Sequence, residues 1–263
     1  MNEIKQEEIE DLWGYAKRLR FVREVISAAF PERAPGSLRV LDVGCGNGSQ
    51  LALPLAMGHG FQLTGIDPDQ RSIEHAKQLA GQSANINFRC GRVEDLFDEE
   101  LFDVMILSEV LEHLERPAEM LAAGASLLDK DGILIVTVPN GYGEFEIDSW
   151  IFRRLRLQTI VDVLAEKREV PSATDNQESG HIQFFTRARL TRLFEAAGLS
   201  VFREGVGSFL AGPIVGHFLA HSTRLISWNA RVTDGLPFIL ASGWYFALRR
   251  GPQARSETVG DAV

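Results

Sequence analysis

Three observations predict an α/β fold, a mostly parallel sheet with helices on both faces. Short apolar runs alternate with helix-spaced stretches through the first half of the chain, the signature of strands joined by crossover helices. One of those runs ends in glycines at alternate positions, "RVLDVGCGNGS", as a strand that turns sharply into a helix would. The 263 residues, 45% hydrophobic and 24% charged, suffice for one large core with insertions.

Taken in order, residues 4–30 carry Ile4, Ile9, Leu12, Trp13, Leu19, Val22, Val25 and Ile26 near one helical stripe, which Pro31, Pro35 and Gly36 then break. Strands are expected at 38–43, 61–66, 86–90, 102–107 and 132–138, with helices near 48–57, 69–80 and 117–128. The rhythm changes over 139–183, where "PNGYGEFEIDSW" and "PSATDNQESGH" read as loops around a helical piece near 149–168. A helix at 187–197 follows, with Thr186 as its N-cap and Gly198 at its end. Two more strands, 199–204 and 243–249, flank an apolar, helix-like insertion. The expected organisation is an N-terminal helical cap (1–35), a main domain (36–250) with insertions at 139–185 and 207–241, and a polar, disordered tail (251–263). There is no internal repeat.

The net charge of -9 and pI near 5.2 argue against a general nucleic-acid binder. Arg153, Arg154 and Arg156 read as a solvated helix face. Cys45 and Cys90 make no disulfide framework or thiolate metal site, so a reducing cytoplasm is expected, and both read as small buried residues. The acidic start "MNEIKQEEIEDLW" lacks a signal-peptide pattern. Residues 205–223 carry no Asp, Glu, Lys or Arg, but four glycines, a proline and two histidines make them a poor spanning helix. The aromatics and aliphatics of 207–241 suit either core packing, a lid over an apolar acceptor, or peripheral contact with a membrane or lipid-linked substrate.

Bare backbone at a strand end lets a ligand approach closely and offers it free N–H groups. Gly44, Gly46 and Gly48 therefore mark a cofactor pocket beyond the carboxyl end of a strand. A dinucleotide fingerprint wants a glycine at its sixth place, where this sequence has Ser49. Asp42 would repel a pyrophosphate yet can face an ammonium group. Asp67, about 20 residues further on in "LTGIDPD", can accept both hydroxyls of a ribose. Each feature also has a plain structural reading: Asp67, for instance, could merely cap the helix after Pro68.

Together these motifs resemble the class I S-adenosylmethionine-dependent methyltransferases. "VLDVGCGNG" and "GIDPD" look like the family's first two motifs, and "GRVEDL" like its adenine-contacting one. "FDVMILSEVLEHLERP" and "DGILIVTVPN" are similar to its fourth- and fifth-strand motifs. The resemblance implies a Rossmann-like seven-stranded sheet, mostly parallel with an antiparallel last strand. It also implies that Gly44, Gly46 and Gly48 pack against the methionine portion of the cofactor, S-adenosyl-L-methionine, while Asp42 holds its amino group. Asp67 would then take the ribose, the Val93 backbone and Glu94 side chain the adenine edge, and Ser108 the methyl-transfer side.

Glu109, Glu112 and His113 stand at i, i+3 and i+4, one face of the segment if it is helical. "SEVLEHLERP" resembles the ubiquinone-biosynthesis O-methyltransferases, which implies an oxygen acceptor. In some relatives these carboxylates and the histidine are associated with a divalent ion. Here no metal is assigned, and Glu109, Glu112 and His113 holding one is the lesser alternative to His113 orienting its loop or meeting the acceptor. His181 is the second candidate base, because it closes the insertion expected to cover the pocket. The missing Asn/Asp-Pro-Pro-Tyr/Phe sequence disfavours methylation of exocyclic base amines. The expectation is O-methylation of a small hydroxylated or carboxylated metabolite: a quinone precursor, a sugar or a lipid-linked saccharide. A catalytically silent cofactor-binding scaffold and a nicotinamide-dependent dehydrogenase are the alternatives.

Overall fold

A computed structural model of the chain describes residues 14–96, 101–141, 181–210 and 222–251. The start of the first expected helix, the helical piece near 149–168 and the tail beyond 251 lie outside the described residues.

Seven strands form one sheet: β1 (Arg39–Val43), β2 (Gln62–Asp67), β3 (Ile86–Cys90), β4 (Phe102–Ser108), β5 (Leu128–Pro139), β6 (Leu199–Val206) and β7 (Gly243–Arg250). Their order is β3-β2-β1-β4-β5-β7-β6, with β1 to β5 parallel and β7 antiparallel to both its neighbours. This is the expected sheet. The helices are α1 (Tyr15–Ala29), α2 (Gln70–Ala80), α3 (Pro117–Leu127), α4 (Arg187–Ala196) and α5 (Thr223–Val232).

The central strands are apolar at nearly every position because both their faces are covered. Val40, Val104, Ile106, Ile133 and Ile135 join α1 and α2 on one face, among them Val22, Val25, Ile26, Ile73 and Ala76. Leu41, Met105, Leu107, Leu134 and Val136 join Leu121 of α3 and Leu190 and Phe194 of α4 on the other. Alternate residues of one strand thus feed two cores, as a two-residue repeat requires.

Helix starts follow the local chemistry. The Asp69 carboxylate accepts from the N–H groups of Arg71 and Ser72 to cap α2, and the Thr186 hydroxyl accepts from the N–H of Arg189 to cap α4. Pro117 opens α3, where a missing N–H costs nothing.

Three expectations need correction. Helical backbone is confined to 52–59 instead of 48–57, most of it a wide turn over Pro54–Gly58, since Pro54 has no N–H to donate. β5 begins at Leu128, which pairs with Phe102, so the polar "DKDG" lies within the strand. Neither cysteine is a core residue: Cys90 is exposed and Cys45 half-buried.

The strand order reverses at β1, with β2 on one side and β4 on the other. In open sheets of this kind the crevice for a ligand lies there, beyond the carboxyl ends. Val43, Asp67, Ser108 and Pro139 end their strands on that side, where the antiparallel β7 begins at Gly243.

Candidate active site

The turn after β1 is fixed by its neighbour strand. The N–H groups of Gly44 and Cys45 both donate to the carbonyl of Ile66, and the N–H of Gly46 donates to Asp67 Oδ2 at 2.9 Å. All three glycines have positive φ: 69° at Gly44, 53° at Gly46 and 75° at Gly48. Two of them are also shut in, because a Cβ would come within 2.7 Å of Val110 at Gly44 and 2.6 Å of Phe88 at Gly48. At Gly46 a Cβ would meet nothing within 4 Å. The turn therefore packs on Val110 and Phe88 and keeps one bare face open.

Asp67 does not cap α2; Asp69 does. The Asp67 carboxylate is buried and ties the glycine turn to the start of that helix, accepting from Gly46 on one oxygen and from the N–H of Asp69 on the other. Each oxygen keeps a lone pair for a further donor. Beside it, the N–H of Gly91 donates to the Asp67 carbonyl, and Val93–Leu96 form a short turn with the Val93 side chain buried and Glu94 exposed. Asp42 is buried too, and its carboxyl is pushed up to about 7, first by burial and then by Asp67, with Arg18 opposing. Burial, followed by Asp42 and Asp67, raises the Cys45 thiol far above its ordinary range, so it is no nucleophile.

Arg18, which the sequence motifs did not single out, is a buried cation of this site. Its Nη1 donates to Ser108 Oγ at 3.1 Å, its Nη2 lies 3.4 Å from Glu109 Oε1, and the side chain is 7% exposed. Its Nε is buried without a hydrogen-bond partner. Burial works against its charge, but Glu109, Tyr245 and Tyr15 outweigh that and hold it protonated more firmly than a free guanidinium. A signal existed: Arg18 sits four residues before Val22 and seven before Val25, a charge on the apolar stripe of α1. Ser108 Oγ also lies 3.1 Å from Thr137 Oγ1, which donates to Glu109 Oε1 at 2.9 Å.

The expected grouping of Glu109 with Glu112 and His113 does not form. Glu109 takes φ 56°, the only positive value at a non-glycine among the described residues, and turns its carboxylate to Thr137 and Arg18. Only Leu111–His113 are helical, a single tight turn. His181 takes its place from across the chain: one ligand atom each of Glu112, His113 and His181 lie within 4.8 Å of one another. The two imidazole rings meet edge-on at 5.3 Å, and His113 Nε2 is 3.9 Å from the fully buried Glu112 carboxylate. The backbone enforces this, since the N–H groups of Ile182 and Gln183 both donate to the Glu112 carbonyl at 3.0 Å. Among the described residues no helix is long and apolar enough to cross a membrane.

A family model described as a methyltransferase domain matches residues 13–204. The ubiquinone biosynthesis O-methyltransferase of Caulobacter vibrioides is 32% identical over 226 residues, 82% of this chain and 82% of that enzyme. The enzyme of the same name from Bradyrhizobium diazoefficiens is 36% identical over 129 residues, and there the chain spans 50% of the relative's length. Magnesium protoporphyrin IX methyltransferase from Synechocystis PCC 6803 shares the fold in two structures. With bound SAM the TM-score is 0.53 at 17% identity, covering 95% of this chain and 85% of that one. With bound SAH it is 0.51 at 19%, covering 90% and 86%. The dehydrogenase alternative falls with the family match, which runs through the glycine turn, Asp67 and the fourth-strand motif alike. By that match, and by a sheet order that agrees with it, the chain belongs to the class I S-adenosylmethionine-dependent methyltransferases.

Proposed function

We propose that the protein methylates an oxygen of a small hydroxylated or carboxylated metabolite in the cytoplasm: a quinone precursor, a sugar or a lipid-linked saccharide. The observation that carries this is the meeting of Glu112, His113 and His181 one turn beyond Val110, whose side chain rests on Gly44. A hydroxyl acceptor needs a proton acceptor close to the methyl donor, and two half-buried imidazoles beside a buried carboxylate can provide one.

The residues fit the cofactor. The open face at Gly46 leaves room for its methionine portion, Asp42 takes the ammonium, and Arg18, with an unpartnered Nε, takes the carboxylate. Asp67 accepts from the ribose, Val93 and Glu94 meet the adenine edge, and Ser108 lines the side of transfer. When bound, S-adenosylmethionine supplies a methyl carbon already made electrophilic by its sulfonium, so the chain's main task is alignment. His113 or His181 accepts the hydroxyl proton at a ring nitrogen, and Glu112 orients the pair. The same three donors suit a divalent ion, one hard carboxylate and two imidazoles, which would lower the hydroxyl pKa instead. Leu225, Trp228, Ile239 and Leu240 are exposed in the 207–241 connection, which supports an apolar or lipid-linked acceptor.

Mass spectrometry of cell extract incubated with labelled cofactor should reveal an acceptor that gains one methylene unit. His113→Ala and His181→Ala should each lower kcat on it by about 100-fold or more while leaving S-adenosylhomocysteine binding intact. Chelator treatment restored by added Zn²⁺ or Mg²⁺ would favour the metal arrangement over the direct base. Full turnover in both variants, or methylation only at nitrogen or carbon, would overturn the reading.

A further inference from the structure

We infer that Glu109 is a positioning residue that competes with the cofactor's own carboxylate for Arg18. The inference rests on Arg18 taking that carboxylate. Glu109 is held in a backbone conformation that costs free energy, and such a conformation persists only where its surroundings impose it. Both flanks are committed: Ser108 is the last residue of β4, paired with Thr137, and Val110 is wedged onto Gly44. The Glu109 N–H donates to the Thr137 carbonyl, and its carboxylate meets the Thr137 hydroxyl and Arg18.

Of the two charged partners, the Glu109 side chain is the less enclosed. Arg18 is 7% exposed and Glu109 31%. Arg18 rides on α1, which is packed in the core through Leu19, Val22 and Val25. The neighbouring Lys17 pins that helix, donating to the carbonyls of Gly207 and Ala230 and pairing with Asp234 at 2.7 Å. Charge then decides the outcome. In the structure the guanidinium pairs with Glu109 at 3.4 Å and also acts electrostatically on the buried Asp42. An arriving amino acid brings an ammonium that satisfies Asp42 and a carboxylate that needs Arg18. Glu109 becomes the surplus anion, and its release frees a carboxylate beside the turn that carries Glu112 and His113.

Calorimetric affinities for S-adenosylhomocysteine and for its decarboxylated form separate this from a structural role. Glu109→Gln should bind S-adenosylhomocysteine about fivefold or more tighter than the natural protein. Its affinity for the decarboxylated ligand should not change. Glu109→Gly, which also relieves the backbone, should show the same selectivity, and Glu109→Asp, which keeps the charge, should not. Equal or weaker binding in the Gln and Gly variants, or equal tightening for both ligands, overturns the inference. Arg18→Met keeps the two readings apart. If it leaves S-adenosylhomocysteine affinity unchanged, the assignment of Arg18 fails; if it weakens binding while Glu109→Gln does not tighten it, only the competition fails.

Discussion

At the end of β1 the Asp42 carboxylate is nearly sealed from water, with Asp67 adding repulsion, and its pKa rises from 3.8 to about 7. The sign of the consequence follows from linkage. Between about pH 4 and about pH 7 the folded protein holds a proton that the unfolded chain has released, so this group's contribution to stability falls as pH rises through that window. Above it the penalty is complete. Asp42→Asn should therefore be more stable than the natural protein at about pH 8 without cofactor, and the advantage should fade toward about pH 4. Binding inverts the preference, because an ammonium beside Asp42 favours the ionised carboxylate. Affinity for S-adenosylhomocysteine should climb between about pH 6 and about pH 8, with protons released on binding in calorimetry at the lower pH. Asp42→Asn should bind more weakly, without that slope or that proton release. A pH-independent affinity in the natural protein would remove Asp42 from the ammonium site.

Adjacent strands β1 and β4 are tied at the end opposite the cofactor turn by a single acidic side chain. Asp103, buried near the start of β4, accepts from the guanidinium of Arg33 and, at 2.8 Å, from the N–H of Arg39. Asp103→Ala leaves that N–H without its partner, which should cost about 1–3 kcal/mol. Arg33 is 40% exposed, so water replaces much of what it loses. Urea titration should show the lost stability, and S-adenosylhomocysteine affinity should stay unchanged; a fall in affinity would mean that the two ends of the sheet are coupled. The elements were legible wherever the local pattern was pure. All seven strands were placed within a few residues because their apolar runs are bounded by turns, and the caps Thr186 and Asp69 act within their own helices. Only the latter went unread, since Asp67 competes for the same role two positions earlier. The misread stretches had conflicting local signals: Pro54 inside a helical pattern, and "DKDG" inside a strand whose pairing partner lies elsewhere in the chain.

What the site needs from the whole molecule is contact between distant segments, and that is where the sequence fell silent. Gly44, Gly46, Gly48 and Asp67 could be read because two neighbouring strand ends carry them. Arg18 reaches Ser108 across 90 positions, and His181 reaches His113 only because 181–183 hang from the Glu112 carbonyl. The spacing of α1 marks Arg18 as a charge on an apolar stripe, but it names no partner, and nothing local marks the meeting of the two histidines. The same architecture brings α1 to the candidate site although it precedes the first strand. Its Arg18 pairs with Glu109 and acts electrostatically on Asp42, and its Lys17 fastens it to the carbonyls of Gly207 and of Ala230 in α5. A ligand that engages Asp42 and Arg18 together must then restrain α1, the glycine turn and the 108–113 segment as one unit. Hydrogen exchange read by mass spectrometry should show all three slowing together when S-adenosylhomocysteine is added, while exchange in α3, on the opposite face, changes little. In Arg18→Met the glycine turn should still be protected at saturating ligand, but α1 should exchange as it does without ligand. Protection confined to the turn in the natural protein would show instead that α1 is only a cover on the sheet, with no share in holding the cofactor.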